Sequence, residues 1–109
     1  MNPQFKKGVL ELIVLLALKK KDMYGYEIVD KTSKIVEIKD GTIYPLLKRL
    51  TNENYFETYL IESSEGPSRK YYKITPAGLQ RLKQLKKEWH EFAKAIEKFI
   101  KESEKNEKN

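Results

Sequence analysis

Apolar side chains recur along this chain first at helical spacing, then at strand spacing, then again at helical spacing. Val9-Leu10-Glu11-Leu12-Ile13-Val14-Leu15-Leu16-Ala17-Leu18 is apolar nearly all round, which for a helix in a chain of this size means burial on several sides. It reads as the central helix of a small bundle, or as one that also faces a second subunit. Asp22 is placed to accept a backbone N–H at the start of a second helix. Tyr24, Ile28, Val29 and Ile35 supply its apolar stripe, and Glu27, Asp30, Lys31 and Lys34 its polar face. A third helix opens at Asp40 or Thr42, with Ile43, Leu46, Leu47 and Leu50 pointing one way and Thr42, Tyr44, Pro45, Lys48, Arg49 and Asn52 the other. Pro45 keeps the onset close to Gly41 or Thr42, because a proline beyond the first turn deletes a helical hydrogen bond.

Tyr55 to Ile61 is mostly aromatic or β-branched and Arg69 to Thr75 is strand-like again, with Ser63, Ser64, Gly66, Pro67 and Ser68 as the turn between them. Alternation puts Lys70, Tyr72 and Ile74 on one face and Arg69, Tyr71 and Lys73 on the other, so at least one of Tyr71 and Tyr72 is buried and Arg69 and Lys70 sit near the hairpin tip. Thr75-Pro76 then opens a further helix, threonine as N-cap and proline in the first turn. Along it Leu82, Leu85, Trp89, Phe92, Ile96 and Phe99 are separated by three, four, three, four and three residues, the seam of a coiled coil. From Pro76 to about Glu102 such a helix is roughly 40 Å long, more than the preceding residues can cover. Its seam needs a second protein surface, most economically the same helix of another copy in a two-fold dimer. Lys101 to Asn109 are all polar and are expected to fray.

This order predicts a mainly α (α+β) fold: a winged helix-turn-helix over residues 1–75 with a two-stranded β-wing, a dimerisation helix over 76–102 and a disordered tail over 103–109. A helix fits the major groove of double-stranded DNA, its N-terminal side chains reach base edges, and a cationic hairpin grips phosphates beside it. Thr42, Tyr44, Pro45 and Lys48 form the candidate groove-facing set, Ser68, Arg69 and Lys70 the candidate wing contacts, and Lys34 and Lys39 candidate phosphate contacts. The competing reading is a winged-helix module that binds a small molecule or another protein and does not read DNA.

Charge changes this picture little. The net charge of +6 suits a polyanionic partner, but the excess is +3 in residues 1–75 and +3 in 76–109, so no single segment is a cationic tail. The chain has no cysteine, which removes disulfides and thiolate metal sites, and His90 is its only histidine, a hydrated surface residue rather than a metal ligand or base. There is no Ser/His/Asp or Cys/His set and no phosphate-cradling glycine loop, so neither an enzyme nor a bound cofactor is expected. The apolar run from Val9 to Leu18 is too short to cross a bilayer and lacks a small-residue cleavage site, and the expected location is the cytoplasm, away from membranes.

Met23-Tyr24-Gly25-Tyr26-Glu27-Ile28, Gly41-Thr42-Ile43-Tyr44-Pro45-Leu46-Leu47-Lys48-Arg49-Leu50, and Arg69-Lys70-Tyr71-Tyr72 with Thr75-Pro76-Ala77-Gly78 closely resemble the PadR family of transcriptional regulators, in matching order over nearly the whole chain. The resemblance implies a homodimeric winged-helix repressor that binds an inverted-repeat operator and is released by a small molecule. The single C-terminal helix is similar to the family's small, multidrug-sensing subgroup, where a tryptophan stands at the position of Trp89. That likeness implies that Trp89 and its symmetry mate flank an apolar pore and stack on planar aromatic effectors, with Leu12 and Leu85 at neighbouring lining positions. Ala93 stands where the subgroup's pattern has an acidic residue, which weakens the expectation of cationic ligands.

Overall fold

The computed structural model describes residues 3–39 and 41–107. In chain order these form helix α1 (Pro3–Lys20), a two-residue strand β1 (Met23–Tyr24), helices α2 (Gly25–Ser33) and α3 (Ile43–Asn52), strands β2 (Phe56–Ser63) and β3 (Gly66–Ile74), and helix α4 (Pro76–Glu107). The architecture is mainly helical with a β-wing, and α1 is its centre. Leu10, Val14, Leu15 and Leu18 of α1 are buried among Ile28 of α2, Ile43, Leu47 and Leu50 of α3, Phe56 and Tyr72 of the sheet, and Leu82 of α4. The nearly unbroken apolar run of α1 is what lets one helix meet so many neighbours.

The two-stranded wing, β2 and β3, is extended at its base by β1 into a three-stranded sheet. β3 lies between β1 and β2, all antiparallel, with Met23 opposite Tyr72 and Tyr24 opposite Tyr71. This pairing displaces the expected start of the second helix. Asp22 is not its N-cap: α2 begins at Gly25, and the Tyr24 N–H donates to Glu27 Oε1 at 3.3 Å. The Asp22 carboxylate instead accepts the Tyr59 hydroxyl at 2.7 Å. Ile35 lies beyond the end of α2 and is exposed, while Val36 and Ile38 pack on the core in its stead. Gly41, at φ +84°, takes a left-handed conformation that suits glycine and turns the chain into α3; Asp40 lies outside the described residues. Thr42 precedes α3 without a capping bond from its side chain.

The hairpin turn is Ser64-Glu65, and Gly66, Pro67 and Ser68 belong to β3. Pro67 fits there because β1 reaches only Tyr71 and Tyr72, leaving the outer part of β3 without a neighbour on that side to receive an N–H. Arg69 therefore pairs with Ile61 in the body of the ladder, while Glu65 lies in the turn and Glu62 close before it. The expected cationic tip is acidic.

Thr75 and Gly78 form the corner from which α4 departs. The Thr75 hydroxyl donates towards the carbonyls of Asn54 (2.7 Å) and Tyr55 (3.1 Å) and accepts the Gly78 N–H at 3.0 Å. This is the N-cap read from the sequence, tied in addition to the end of α3. α4 packs on α1, buries Leu82 in the chain's own core and half-buries Leu85. Leu82 thus serves its own chain and is not free for a dimer interface, because the first two turns of α4 still lie over α1. The helix runs on to Glu107, past the expected end at 102 and into the stretch expected to be a disordered tail, while Lys108 and Asn109 lie outside the described residues.

A Cβ added at Gly78 would fall 2.3 Å from the Tyr55 carbonyl oxygen and 2.6 Å from Ile74 Cγ1. Since the nearest obstacle is backbone, Gly78→Ala should destabilise the fold by about 1–3 kcal/mol, measured as a lower urea midpoint with an unchanged slope. Wild-type stability in that variant would mean that this corner is loosely packed.

Candidate nucleic-acid interface

α3 is amphipathic, with Ile43, Leu47 and Leu50 buried, Leu46 half-buried, and two exposed rows between them. Tyr44 and Lys48, one turn apart, make the first row. Tyr44 is half exposed, but its ring rests on the start of α2, where a Cβ on Gly25 would come within 2.8 Å of it. Burial pushes the Tyr72 hydroxyl's pKa up, and the Tyr44 phenol adds to the shift. Lys48 is exposed and has no ion pair among the described residues. The second row turns towards α1: Thr42, Pro45 and Arg49 line a hollow of about 300 Å³ with Leu10 and Leu46.

The expected phosphate contacts are distributed unevenly. Lys39 lines a cavity of about 340 Å³ between α2 and α3 with Val29, Ser33, Ile38, Gly41, Ile43 and Tyr44, which brings it beside the first row. Lys34 is paired with Asp30 at 3.2 Å on the exposed side of α2, a contact too open to hold the lysine firmly. On the wing, Lys70 shares a face with Tyr72, its Nζ 5.9 Å from that ring's centre. Arg69 lies on the opposite face, its guanidinium 4.6 Å above the Tyr24 ring. Tyr24, Tyr71 and Tyr59 follow one another there with centroids 5.6 Å apart, and the bond to Asp22 pushes the exposed Tyr59 phenol's pKa up to about 12. Ser68 is exposed in β3. The structure therefore brings Lys39 and Tyr44 to one cavity and sets Lys70 and Arg69 on opposite faces of β3.

The sequence reading overlooked Glu11. It is buried, and its two oxygens serve two helices: Oε2 accepts from Arg49 Nη2 at 3.3 Å and Oε1 from Arg81 Nε at 3.1 Å. Arg49 Nη1 also donates to Glu53 at 2.9 Å, and hydrogen bonds to Glu53 and Glu11 raise the pKa of Arg49 and to Glu11 that of Arg81. A single carboxylate within an apolar run was the available signal, since a charge is seldom buried without a partner. It also explains why Arg49, although outward on α3, is occupied, where Lys48 has no ion pair among the described residues.

The chain matches the Transcriptional regulator PadR-like family over residues 14–84, a span from the middle of α1 into α4 that includes all of α2, α3 and the wing. It belongs to that family. A PadR-like transcriptional regulator from Bacillus cereus strain ATCC 14579 is similar in structure, with 38% identity, TM-score 0.79, and 89% of this chain and 96% of that one covered. A PadR family transcription regulator from Clostridium difficile R20291 shares 36% identity at TM-score 0.76, covering 84% and 97%. A transcriptional regulator from Clostridium thermocellum shares 36% at TM-score 0.78, covering 89% and 98%. Because the similarity extends over nearly the full length of these regulators, α4 of this PadR-like chain is part of the shared structure and not an appendage to it.

Beyond Leu85, α4 leaves the shelter of α1. Trp89, Phe92, Ile96, Phe99 and Ile100 are exposed, and the rings of Trp89 and Phe92 have centroids 6.5 Å apart. Leu12 and Leu85 are half-buried against the core and Ala93 is partly exposed, so of the expected effector positions it is Trp89 that offers a large open ring.

Proposed function

We propose that this PadR-like regulator is a homodimeric, DNA-binding repressor that places α3 of each subunit in the major groove at an inverted-repeat operator. A planar aromatic molecule bound between the two α4 helices would release it. The observation that carries the DNA reading is the exposed pair Tyr44 and Lys48 one turn apart on α3, with Lys39 beside Tyr44 and Lys48 in no ion pair among the described residues. In this arrangement Tyr44, Thr42 and Pro45 set the fit of the α3 start to the groove, Lys48 and Lys39 meet phosphates, and Lys70 extends the contact along the wing. Ser68 and Arg69 serve as outer wing contacts, and Lys34 exchanges Asp30 for phosphate. No helix among the described residues is long and apolar enough to cross a membrane, and action on operator DNA assigns the protein to the cytoplasm without a catalytic step.

Support for the dimer comes from the row Trp89, Phe92, Ile96 and Phe99, with Ile100 beside it, large apolar side chains exposed by 38% to 70%. Helix to helix across a two-fold axis, such rows bury each other, and Leu85 lies at their inner end. A flat ligand stacked on Trp89 and its mate, near Leu12, Leu85 and Ala93, would favour one separation of the helices and so one separation of the α3 pair.

Lys48→Ala should weaken binding to every duplex and lower the slope of log affinity against log salt by about one, read by fluorescence anisotropy over a salt series. An unchanged slope would take Lys48 out of the interface, and an absence of any duplex binding by wild type would favour a module that does not read DNA. Phe99→Glu should turn a sedimenting dimer into a monomer at micromolar concentration and abolish quenching of Trp89 fluorescence by planar aromatics. A dimer that persists would place the subunit contact elsewhere.

A further inference from the structure

α3 is fixed against the rest of the chain by apolar contact, by the Thr75 bonds to the carbonyls just past its end, and by an ion pair. Leu47, Leu50 and Ile43 meet the core through apolar contact, which sets distance but not direction. Glu11 adds direction. Its side chain, 12% exposed, receives Arg49 of α3 on one oxygen and Arg81 of α4 on the other, at 3.3 and 3.1 Å. Arginine presents its donors in a rigid planar fork, so each bond constrains the angle of approach as well as the separation. Among the described residues the remaining ion pairs tie a helix to its own C-cap or join α2 to the preceding turn, so Glu11 is there the sole charged link between α3 and α4.

Arg81 stands at the base of α4, one residue before the last fully buried side chain, Leu82. The helix continues from that point to Glu107 and carries the apolar row at its far end. A small tilt at Arg81 therefore becomes a large displacement of the row, and with the row fixed against a partner it becomes a displacement of the whole winged domain. Glu53, just past the same end of α3, accepts from the other terminal nitrogen of Arg49.

We propose that the Glu11 carboxylate, shared between Arg49 and Arg81, sets the angle between α3 and α4 and thereby the half-site spacing that the dimer accepts. Glu11 and Arg81 are positioning residues that determine operator geometry without touching DNA. This inference rests on the dimeric DNA-binding reading above.

The test uses the full-length protein and a duplex selected by wild type from a random pool, together with versions lengthened or shortened by one and two base pairs between the half-sites. Each base pair shifts a half-site by about 3.4 Å and rotates it by roughly 35°. Wild type should lose about tenfold in affinity for each base pair of mismatch, within the range of ordinary coupling between sites. Glu11→Gln should bind the selected duplex more weakly and lose less than about threefold per base pair, while remaining a dimer by sedimentation. Arg81→Gln, which leaves Glu11 bonded to Arg49, should show the same flattened profile and keeps the test valid if Glu11→Gln does not fold. A steep, wild-type profile in a folded variant, even one with a lowered melting temperature, would reduce the cluster to a stabilising contact and overturn the inference. Failure of wild type to select any duplex would instead overturn the DNA-binding reading and this inference with it.

Discussion

Everything distal in this structure depends on the corner at Thr75. One hydroxyl joins the Asn54 and Tyr55 carbonyls just after α3 to the Gly78 N–H in the first turn of α4, and the absence of a side chain at Gly78 lets the new helix pass against the Tyr55 backbone. Without that closeness α4 could not lie over α1 long enough to bury Leu82 and to bring Arg81 to Glu11. A buried carboxylate left without its arginines would be costly, of order 1–3 kcal/mol for each charged hydrogen bond lost. The corner and the carboxylate are thus mutually dependent: the first places α4, and the second holds it at one angle.

The parts legible in the sequence are those decided by local chemistry. Ile43, Leu47 and Leu50 mark α3 by period alone, and Thr75-Pro76 marks the start of α4 because both residues have specific work in a first turn. What was not legible depends on partners distant in the chain. Two residues, Met23 and Tyr24, have no period to read, and they become a strand only because β3 presents an edge to them. Gly66-Pro67-Ser68 has the composition of a turn, yet Ser64-Glu65 turns, since an outer strand edge tolerates a proline.

The same distinction governs the candidate interface. Sequence spacing correctly set Tyr44 and Lys48 on the polar side of α3, but it could not tell which cations are available. Arg49 is held by Glu11, 38 residues away, and Arg81 by the same residue across 70, whereas Lys48 is held by nothing described. Arg69 and Lys70 are neighbours in sequence and occupy opposite sides of the sheet, one over Tyr24 and the other beside Tyr72. Adjacency along a strand is therefore a poor guide to shared function. The tyrosine stack lies on the Arg69 side of the sheet.

The bare row from Trp89 to Ile100 has a consequence for the newly made chain. A winged domain that has folded correctly still offers water five large apolar groups on a rigid arm, and only an encounter with something else removes them. If that something is a sister chain, completion of the protein is a second-order event: its apparent thermal stability rises with protein concentration, and sparse molecules linger in a form prone to adhesion and proteolysis. Scarcity itself would then act as a brake on such a regulator, independent of any ligand.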